Sequence, residues 1–352
     1  MMEFSLKWLA FEITPRCNLN CIHCRTSASM NLKEKLSFDD IRNVIDEIAE
    51  EFKPVVVLTG GEPLLRGDVF DIADHIKSKG MRVGLATNGT LVDENMALKI
   101  KEHIDIVSLS LDGSNARVHD NFRKVKGAFD ATVRAARIFK RVGVDFIVNS
   151  SFTKRNQHDI ENTYRLAKSL GAKAWYMFMI VPTGRAEELR EELIDKEDYY
   201  KILKWHFELE LKEREMLVRP TCAPEYYAVV DIESRRRKID FERRTLKFST
   251  GGAKGCVAGQ LIAFIGYDGE VKPCSYFLRS AGNVLKDGFL KIWHESRIFR
   301  DMRDFGSYNE KCAHCRYINV CGGCRARADA YFGDYMALDP YCFVEGGSYE
   351  GE

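Results

Sequence analysis

The sequence predicts an α/β protein, a parallel sheet with helices packed outside it, followed by a small cysteine-rich segment. Three observations carry that prediction. Short apolar, β-branched runs alternate with helix-periodic segments over the first two-thirds of the chain. Glycines stand where the helices should stop. Of 11 cysteines, eight are crowded between Cys222 and Cys342.

The expected strands are Phe11–Thr14, Val55–Leu58, Arg82–Thr87, Ile106–Leu111, Asp145–Phe152 and Ala174–Val181. A helix-like segment follows each, and six strand–helix units in series imply parallel pairing by right-handed crossovers. The segment Ser37–Phe52 is the clearest helix, because Phe38, Ile41, Ile45, Ile48 and Phe52 share one face. Ser37 and Asp40 are spaced as an N-cap and its N3 acid. Gly80, Gly143 and Gly171 are placed to end helices. Periodicity alone leaves open whether the units curl into a partial barrel or lie flat; in both cases function gathers at the C-terminal strand ends. Lys196 to about Arg219 reads as a charged helix, and Glu233–Lys247 as a solvated linker. The expected organisation is therefore 1–220 for the α/β unit, 221–250 for a charged linker and 251–352 for a small domain stapled by metal.

Lys and Arg total 53 against 52 Asp and Glu. Such neutrality supplies no broad field for nucleic acid or an anionic membrane, so neither is expected as a partner. No apolar run approaches a membrane span and no leader pattern is present, so the expected location is the cytoplasm. There, clustered cysteines at CxxC spacing point to metal thiolates rather than disulfides.

Cys17-Asn-Leu-Asn-Cys21-Ile-His-Cys24 directly follows the first strand. Three cysteines alone also fit a zinc loop or buried thiols. The CxxxCxxC spacing, with Thr59-Gly60-Gly61-Glu62-Pro63 after the second strand and Ser108-Leu-Ser110 in the fourth, resembles the radical S-adenosylmethionine (SAM) superfamily. The resemblance implies a partial (β/α)6 barrel. It also implies a [4Fe–4S] cluster on Cys17, Cys21 and Cys24, whose open iron binds SAM and generates a 5′-deoxyadenosyl radical. By the same resemblance Gly60, Gly61 and Glu62 contact the SAM amino group, Ser110 the ribose and Arg123 the carboxylate. Asn88 and Asn149, at strand ends, are further candidates for that pocket.

The later cysteines run Cys256, Cys274, Cys312-x2-Cys315-x5-Cys321-x2-Cys324 and Cys342. They resemble the SPASM domain, which carries auxiliary iron–sulfur clusters, although the last pair has two intervening residues where three are usual. The CxxC pairs taken alone also fit a zinc ribbon. Carried over, the resemblance places Cys312, Cys315, Cys321 and Cys342 on one auxiliary cluster and Cys256, Cys274 and Cys324 on another. Cys222, 34 residues before Cys256, is left as the fourth ligand. One or two auxiliary [4Fe–4S] clusters are expected.

The radical loop begins at Cys17, leaving no room ahead of it for a leader-binding module, which weighs against a peptide maturase. Val181-Pro-Thr-Gly-Arg185, Thr221-Cys222-Ala-Pro224, Gly255-Cys256-Val-Ala-Gly-Gln260 and Cys321-Gly-Gly-Cys-Arg-Ala-Arg327 resemble enzymes of the siroheme-dependent heme pathway. Leu111-Asp112-Gly113 and Lys126-Gly-Ala-Phe129 look more like heme b synthases, which oxidatively decarboxylate Fe-coproporphyrin III, than like the 12,18-didecarboxysiroheme deacetylases. The resemblance implies a tetrapyrrole substrate and a small reducing partner such as ferredoxin or flavodoxin. A tetracarboxylate needs cations, so Arg185 and Arg219 are candidate clamps, and Tyr226 or Tyr227 a stacking or hydrogen-bonding partner. Met177, Phe178 and Met179 read as core.

Overall fold

The computed structural model describes residues 4–241, 244 and 254–344. The first half holds β1 (Trp8–Thr14), α1 (Phe38–Glu51), β2 (Val55–Gly60), α2 (Val69–Ser78), β3 (Arg82–Thr87), α3 (Glu94–His103) and β4 (Ile106–Ser110). Two helices, α4 (Ala116–Arg123) and α5 (Ala128–Val142), precede β5 (Phe146–Phe152), α6 (Ile160–Leu170), β6 (Ala174–Met179) and α7 (Lys196–Lys212). Local chemistry sets the helix ends. Ser37 caps α1 by accepting from the Asp40 amide at 3.1 Å, and Asp40 reciprocates to the Ser37 amide at 2.8 Å; such a cap contributes about 1 kcal/mol. Ile41, Val44, Ile45 and Ile48 then face the sheet, each fully buried and each worth roughly 2 kcal/mol of transfer free energy. Gly143 and Gly171 close α5 and α6 in the left-handed conformation.

The charged helix expected to reach Arg219 stops at Lys212, and Leu217–Thr221 is a seventh parallel strand, β7. Pro220 hides it from a sequence reading, yet β7 is an edge strand, where a missing N–H costs no ladder bond. The strand order is β10-β9-β8-β1-β2-β3-β4-β5-β6-β7, open at both edges. Ala10, Val57, Ala86, Ser110, Asn149 and Phe178, one from each of β1 to β6, line a single cavity. The sheet therefore curves around that cavity as a partial barrel. Period-two alternation in β6 explains why Phe178 faces inward while Met177 and Met179 join the core under the helices.

The cysteine-rich segment continues the same sheet. Its β8 (Ile262–Ile265) pairs in parallel with β1 and antiparallel with β9 (Glu270–Lys272), and β10 (Gly282–Asn283) completes the edge. Helix α8 (Tyr226–Arg237) lies ahead of it, with α9 (Val284–Asp287), α10 (Phe289–Glu295), α11 (Arg297–Arg303), α12 (Glu310–Ala313) and α13 (Arg325–Phe332) after. Phe289, Trp293 and Phe299 belong to the main core cluster, so the segment draws on the barrel's core as well as on its thiols. Helix α8 also corrects the expected linker. Tyr226, Ala228 and Val229 give it a buried face, while Arg235–Lys238 remain exposed at its end. Residues 242–243 and 245–250 of that expected linker, and 251–253 and 345–352 of the expected C-terminal domain, lie outside the described residues.

Candidate active site and cysteine groups

The loop after β1 is shaped by backbone bonds that leave its sulfurs in a polar setting. The Leu19 amide donates to Cys17 Sγ at 3.4 Å and the Ala28 amide to Cys24 Sγ at 3.4 Å. Arg123 Nη1 lies 3.6 Å from Cys21 Sγ. Hydrogen bonds to sulfur favour thiolate, but burial acts first: it pushes the Cys17 thiol up to about 12 and raises Cys21. These thiols ionise when a metal replaces their protons. The Gly60-Gly61 turn packs directly on the loop. A Cβ at Gly61 would stand 2.1 Å from the Arg16 carbonyl oxygen and 2.8 Å from Cys17 Cβ, so no side chain fits there.

The segment Val181–Arg185 clamps the other side. Arg185 donates from its amide to the Cys24 carbonyl at 2.9 Å, from Nε to the Cys21 carbonyl at 2.8 Å and from Nη1 to the Ala28 carbonyl at 3.0 Å. Gly184 has φ +59°, and a Cβ there would lie 2.4 Å from the Arg25 carbonyl oxygen. Gly184→Ala is therefore expected to displace the loop, lowering iron incorporation and cutting SAM cleavage by about tenfold or more, since left-handed strain alone costs roughly 1–2 kcal/mol. Iron analysis and deoxyadenosine formation, measured together, check this; wild-type values in both would sink it.

In front of the loop lies a cavity of about 300 Å³. Cys17, Cys21 and Cys24 line it, with Gly60 and Gly61 from one side, Ser110 from the end of β4 and Asn149 from the middle of β5. Asn149 Oδ1 is buried there without a hydrogen-bond partner among the described residues. Three other expected pocket residues have side chains engaged within the protein. Glu62 is buried and accepts from Thr87 Oγ1 at 2.8 Å and the Asn88 amide at 2.8 Å; burial pushes its carboxyl up to about 7. The Asn88 side chain bonds Asn18 at 2.9 Å and Thr90 at 2.6 Å. Arg123 pairs with the buried Asp112 at 2.6 Å.

The four expected substrate residues need correction. Arg185 does line the cavity, but its guanidinium holds the loop. Arg219, on β7, donates to the Arg244 carbonyl at 2.9 Å and pairs in register with Tyr176, outside the cavity lining. Tyr226 is fully buried, and its hydroxyl donates to Glu210 at 2.6 Å across α7 and α8. Tyr227, half-buried beside it, does not line the cavity either. The strand pleat turns Arg219, and the helix face Tyr226, away from the cavity.

The structure adds residues that the sequence analysis did not name as site residues, although Cys24-Arg25 is one of the segments that resemble the heme-pathway enzymes. His23 stacks on Phe122 with centroids 4.5 Å apart, and burial drives its pKa well below the usual range. Arg25, Ser275 and Tyr276 line the cavity on the side of the cysteine-rich segment. Their signal was adjacency to Cys24 and Cys274.

The eight later cysteines form two groups. Cys312, Cys315, Cys321 and Cys342 line one small cavity with Glu225 and Asp339. Cys222, Cys256, Cys274 and Cys324 form the other. Burial pushes Cys274 up to about 12, with Cys256 adding next, and raises Cys222, where Cys274 and Cys256 also contribute. The outlying Cys222 thus reaches the inner group, in a left-handed conformation at φ +56°. Arg327 holds it there, donating from Nη1 to the Cys222 carbonyl at 3.0 Å. Tyr276 packs with Cys222, Cys274 and Cys324 and forms the wall between this group and the cavity.

The donor sets suit iron–sulfur clusters. Thiol sulfurs dominate, several accept backbone N–H bonds, and the N-terminal trio opens onto free volume.

Comparison with known proteins agrees. Residues 11–167 match the model of the radical SAM superfamily, and residues 256–316 that of SPASM, an iron–sulfur cluster-binding domain. An AdoMet-dependent heme synthase of Methanosarcina barkeri is 39% identical over 341 residues, covering 96% of this chain and 97% of that protein. The chain belongs to the radical SAM superfamily, in its SPASM-bearing heme-biosynthesis group. The Fe-coproporphyrin III synthase of the same organism is 28% identical, covering 97% of this chain and 90% of its own. Among solved structures, native anSMEcpe with bound AdoMet superposes with a TM-score of 0.71 at 23% identity, over 96% of this chain and 94% of that one, which speaks for the fold. As a radical SAM enzyme with a SPASM domain, the protein uses SAM, a [4Fe–4S] cluster and auxiliary iron–sulfur clusters. No helix among the described residues is long and apolar enough to cross a membrane.

Proposed function

We propose that this radical SAM enzyme is a heme b synthase, converting two propionates of Fe-coproporphyrin III into vinyl groups. The observation that carries the reading is the full-length 39% identity to a heme synthase, against 28% to the Fe-coproporphyrin III synthase of the same organism.

Cys17, Cys21 and Cys24 would hold the [4Fe–4S] cluster, which with SAM supplies a 5′-deoxyadenosyl radical. Gly60 and Gly61 present backbone to the SAM amino group without side-chain obstruction. Glu62 acts one layer behind, fixing the strand end from which that backbone projects, and Asn88 lines the cavity beside it. Ser110 and Asn149 offer a hydroxyl and an amide oxygen to the ribose. Arg123, charged and anchored by Asp112, faces the SAM carboxylate.

Each propionate must lose a hydrogen atom, CO2 and one electron to become a vinyl group, so an electron acceptor has to stand close to the cavity. The inner group of Cys222, Cys256, Cys274 and Cys324 lies there, behind Tyr276. The outer group of Cys312, Cys315, Cys321 and Cys342 would hold a second cluster. A small reducing protein such as ferredoxin or flavodoxin would deliver the electron for SAM cleavage, in an anaerobic cytoplasm.

The test is an anaerobic assay of reconstituted, reduced protein with SAM and Fe-coproporphyrin III, following deoxyadenosine and porphyrin mass. Sequential loss of two carboxyl groups, with one deoxyadenosine for each, is expected. Deoxyadenosine without porphyrin change would overturn this substrate, and didecarboxysiroheme and peptides would be assayed next.

A further inference from the structure

Among the described residues three guanidinium groups line the cavity, and two are already committed. Arg123 is held by Asp112 at 2.6 Å, and Arg185 by the carbonyls of Cys21 and Ala28 at 2.8 and 3.0 Å. Arg25 differs. Its Nη2 makes one long bond, 3.4 Å, to Thr59 Oγ1. Its Nη1 stands 3.9 Å from Glu12 Oε1, and both atoms are buried without a hydrogen-bond partner among the described residues. The guanidinium also lies over the Phe264 ring, 5.0 Å from its centroid. A guanidinium has five N–H donors in a planar fork, and leaving them unused in a buried setting is costly.

Its position is equally specific. Arg25 immediately follows Cys24 and lines both the main cavity and an adjoining one of about 280 Å³. Thr26 and Ser275 line both as well, so the two cavities meet at this point. Lys272 is a second cation lining the adjoining cavity, and Glu270 there is turned to Ser280 and Asn283.

We propose that Arg25 is a specificity-determining residue that binds a carboxylate of the substrate at the junction of the two cavities, taking the place now held loosely by Glu12. This rests on the tetrapyrrole reading above. The planar fork can grip a carboxylate through two parallel N–H bonds, which Glu12 at 3.9 Å does not offer it. A propionate held there is tied down beside the loop where the radical is generated, and a substrate lacking the carboxylate loses that hold.

The experiment is an anaerobic titration of Fe-coproporphyrin III into reconstituted protein without reductant, followed by its visible absorbance. Wild type, Arg25→Gln, Glu12→Gln and the double variant are compared, with iron content and SAM binding measured on each. Arg25→Gln and the double variant are expected to bind Fe-coproporphyrin III roughly tenfold to a hundredfold more weakly, the range for a lost charge-assisted hydrogen bond, with iron and SAM binding retained. Glu12→Gln is expected to bind at least as tightly as wild type, because Arg25 loses its competing partner. Wild-type affinity in the double variant would overturn the proposal, since Arg25 would then serve only to neutralise Glu12. If wild type itself fails to bind Fe-coproporphyrin III, the tetrapyrrole reading falls first, and the two failures are told apart.

Discussion

Arg327→Met is expected to destabilise the protein by about 3–5 kcal/mol, the range for removing one partner of a buried ion pair. Arg327 is fully buried and grips Asp339 with two bonds of 2.8 Å, while Glu225 stands at 3.4 Å. The guanidinium also lies 4.3 Å from the Tyr341 ring centroid and donates to the Cys222 carbonyl at 3.0 Å. Its charge holds the Asp339 carboxyl down, whereas burial and Asp339 itself push Glu225 up to about 8. The two carboxyls thus share one cation, which favours the ionised form of Asp339, while burial favours the protonated form of Glu225. Methionine would leave Asp339 charged and unpaired beside both cysteine groups, since its Oδ2 accepts from the Cys324 amide at 2.5 Å and it lines the cavity of the outer group. Chemical denaturation reads the loss. Arg327→Met with Asp339→Asn should recover part of it, because no lone charge then remains. A single variant within about 1 kcal/mol of wild type, the ordinary scale of a surface change, would refute this account of the network.

Much of this architecture is written locally. Ser37 and Asp40 announce the start of α1, Gly143 and Gly171 mark the ends of α5 and α6, and β-branched runs mark the strands that face helices on one side. What failed to show was non-local. Arg185 sits beyond a strand end, where a substrate clamp belongs, yet its partners are carbonyls 164 and 157 residues earlier, and main-chain oxygens leave no mark in sequence. Pro220 disguised β7 because its edge position comes from topology. Tyr226 gave no sign of burial because α8, the helix it opens, has almost no apolar periodicity, and the partner of its hydroxyl, Glu210, lies on another helix. Cys222 had only arithmetic in its favour; its place beside Cys256, Cys274 and Cys324 depends on Arg327, a contact 105 residues distant. The cluster loop was legible because three thiols must reach one group from a single turn, which forces their spacing into the sequence.

Cys21→Ala should abolish deoxyadenosine formation while leaving the iron held by the other eight cysteines in place. Cys21 is the most enclosed of the trio, with Arg123 Nη1 3.6 Å from its sulfur, and its carbonyl is one of the three that Arg185 holds. Alanine keeps the backbone and therefore the clamp, so the loss falls on metal binding alone. The two later groups are anchored differently, by Arg327, Asp339 and the Cys312–Cys324 turns. Cys222→Ala is the mirror experiment. Tyr276 separates the inner group from the cavity, so SAM cleavage should persist while porphyrin decarboxylation stops for want of an electron acceptor. Iron analysis, deoxyadenosine and porphyrin mass on the two variants form one test with opposite expected patterns. Deoxyadenosine from Cys21→Ala would remove the radical loop from its assigned role. Full decarboxylation by Cys222→Ala would mean that the substrate's electron leaves by a route other than the group behind Tyr276.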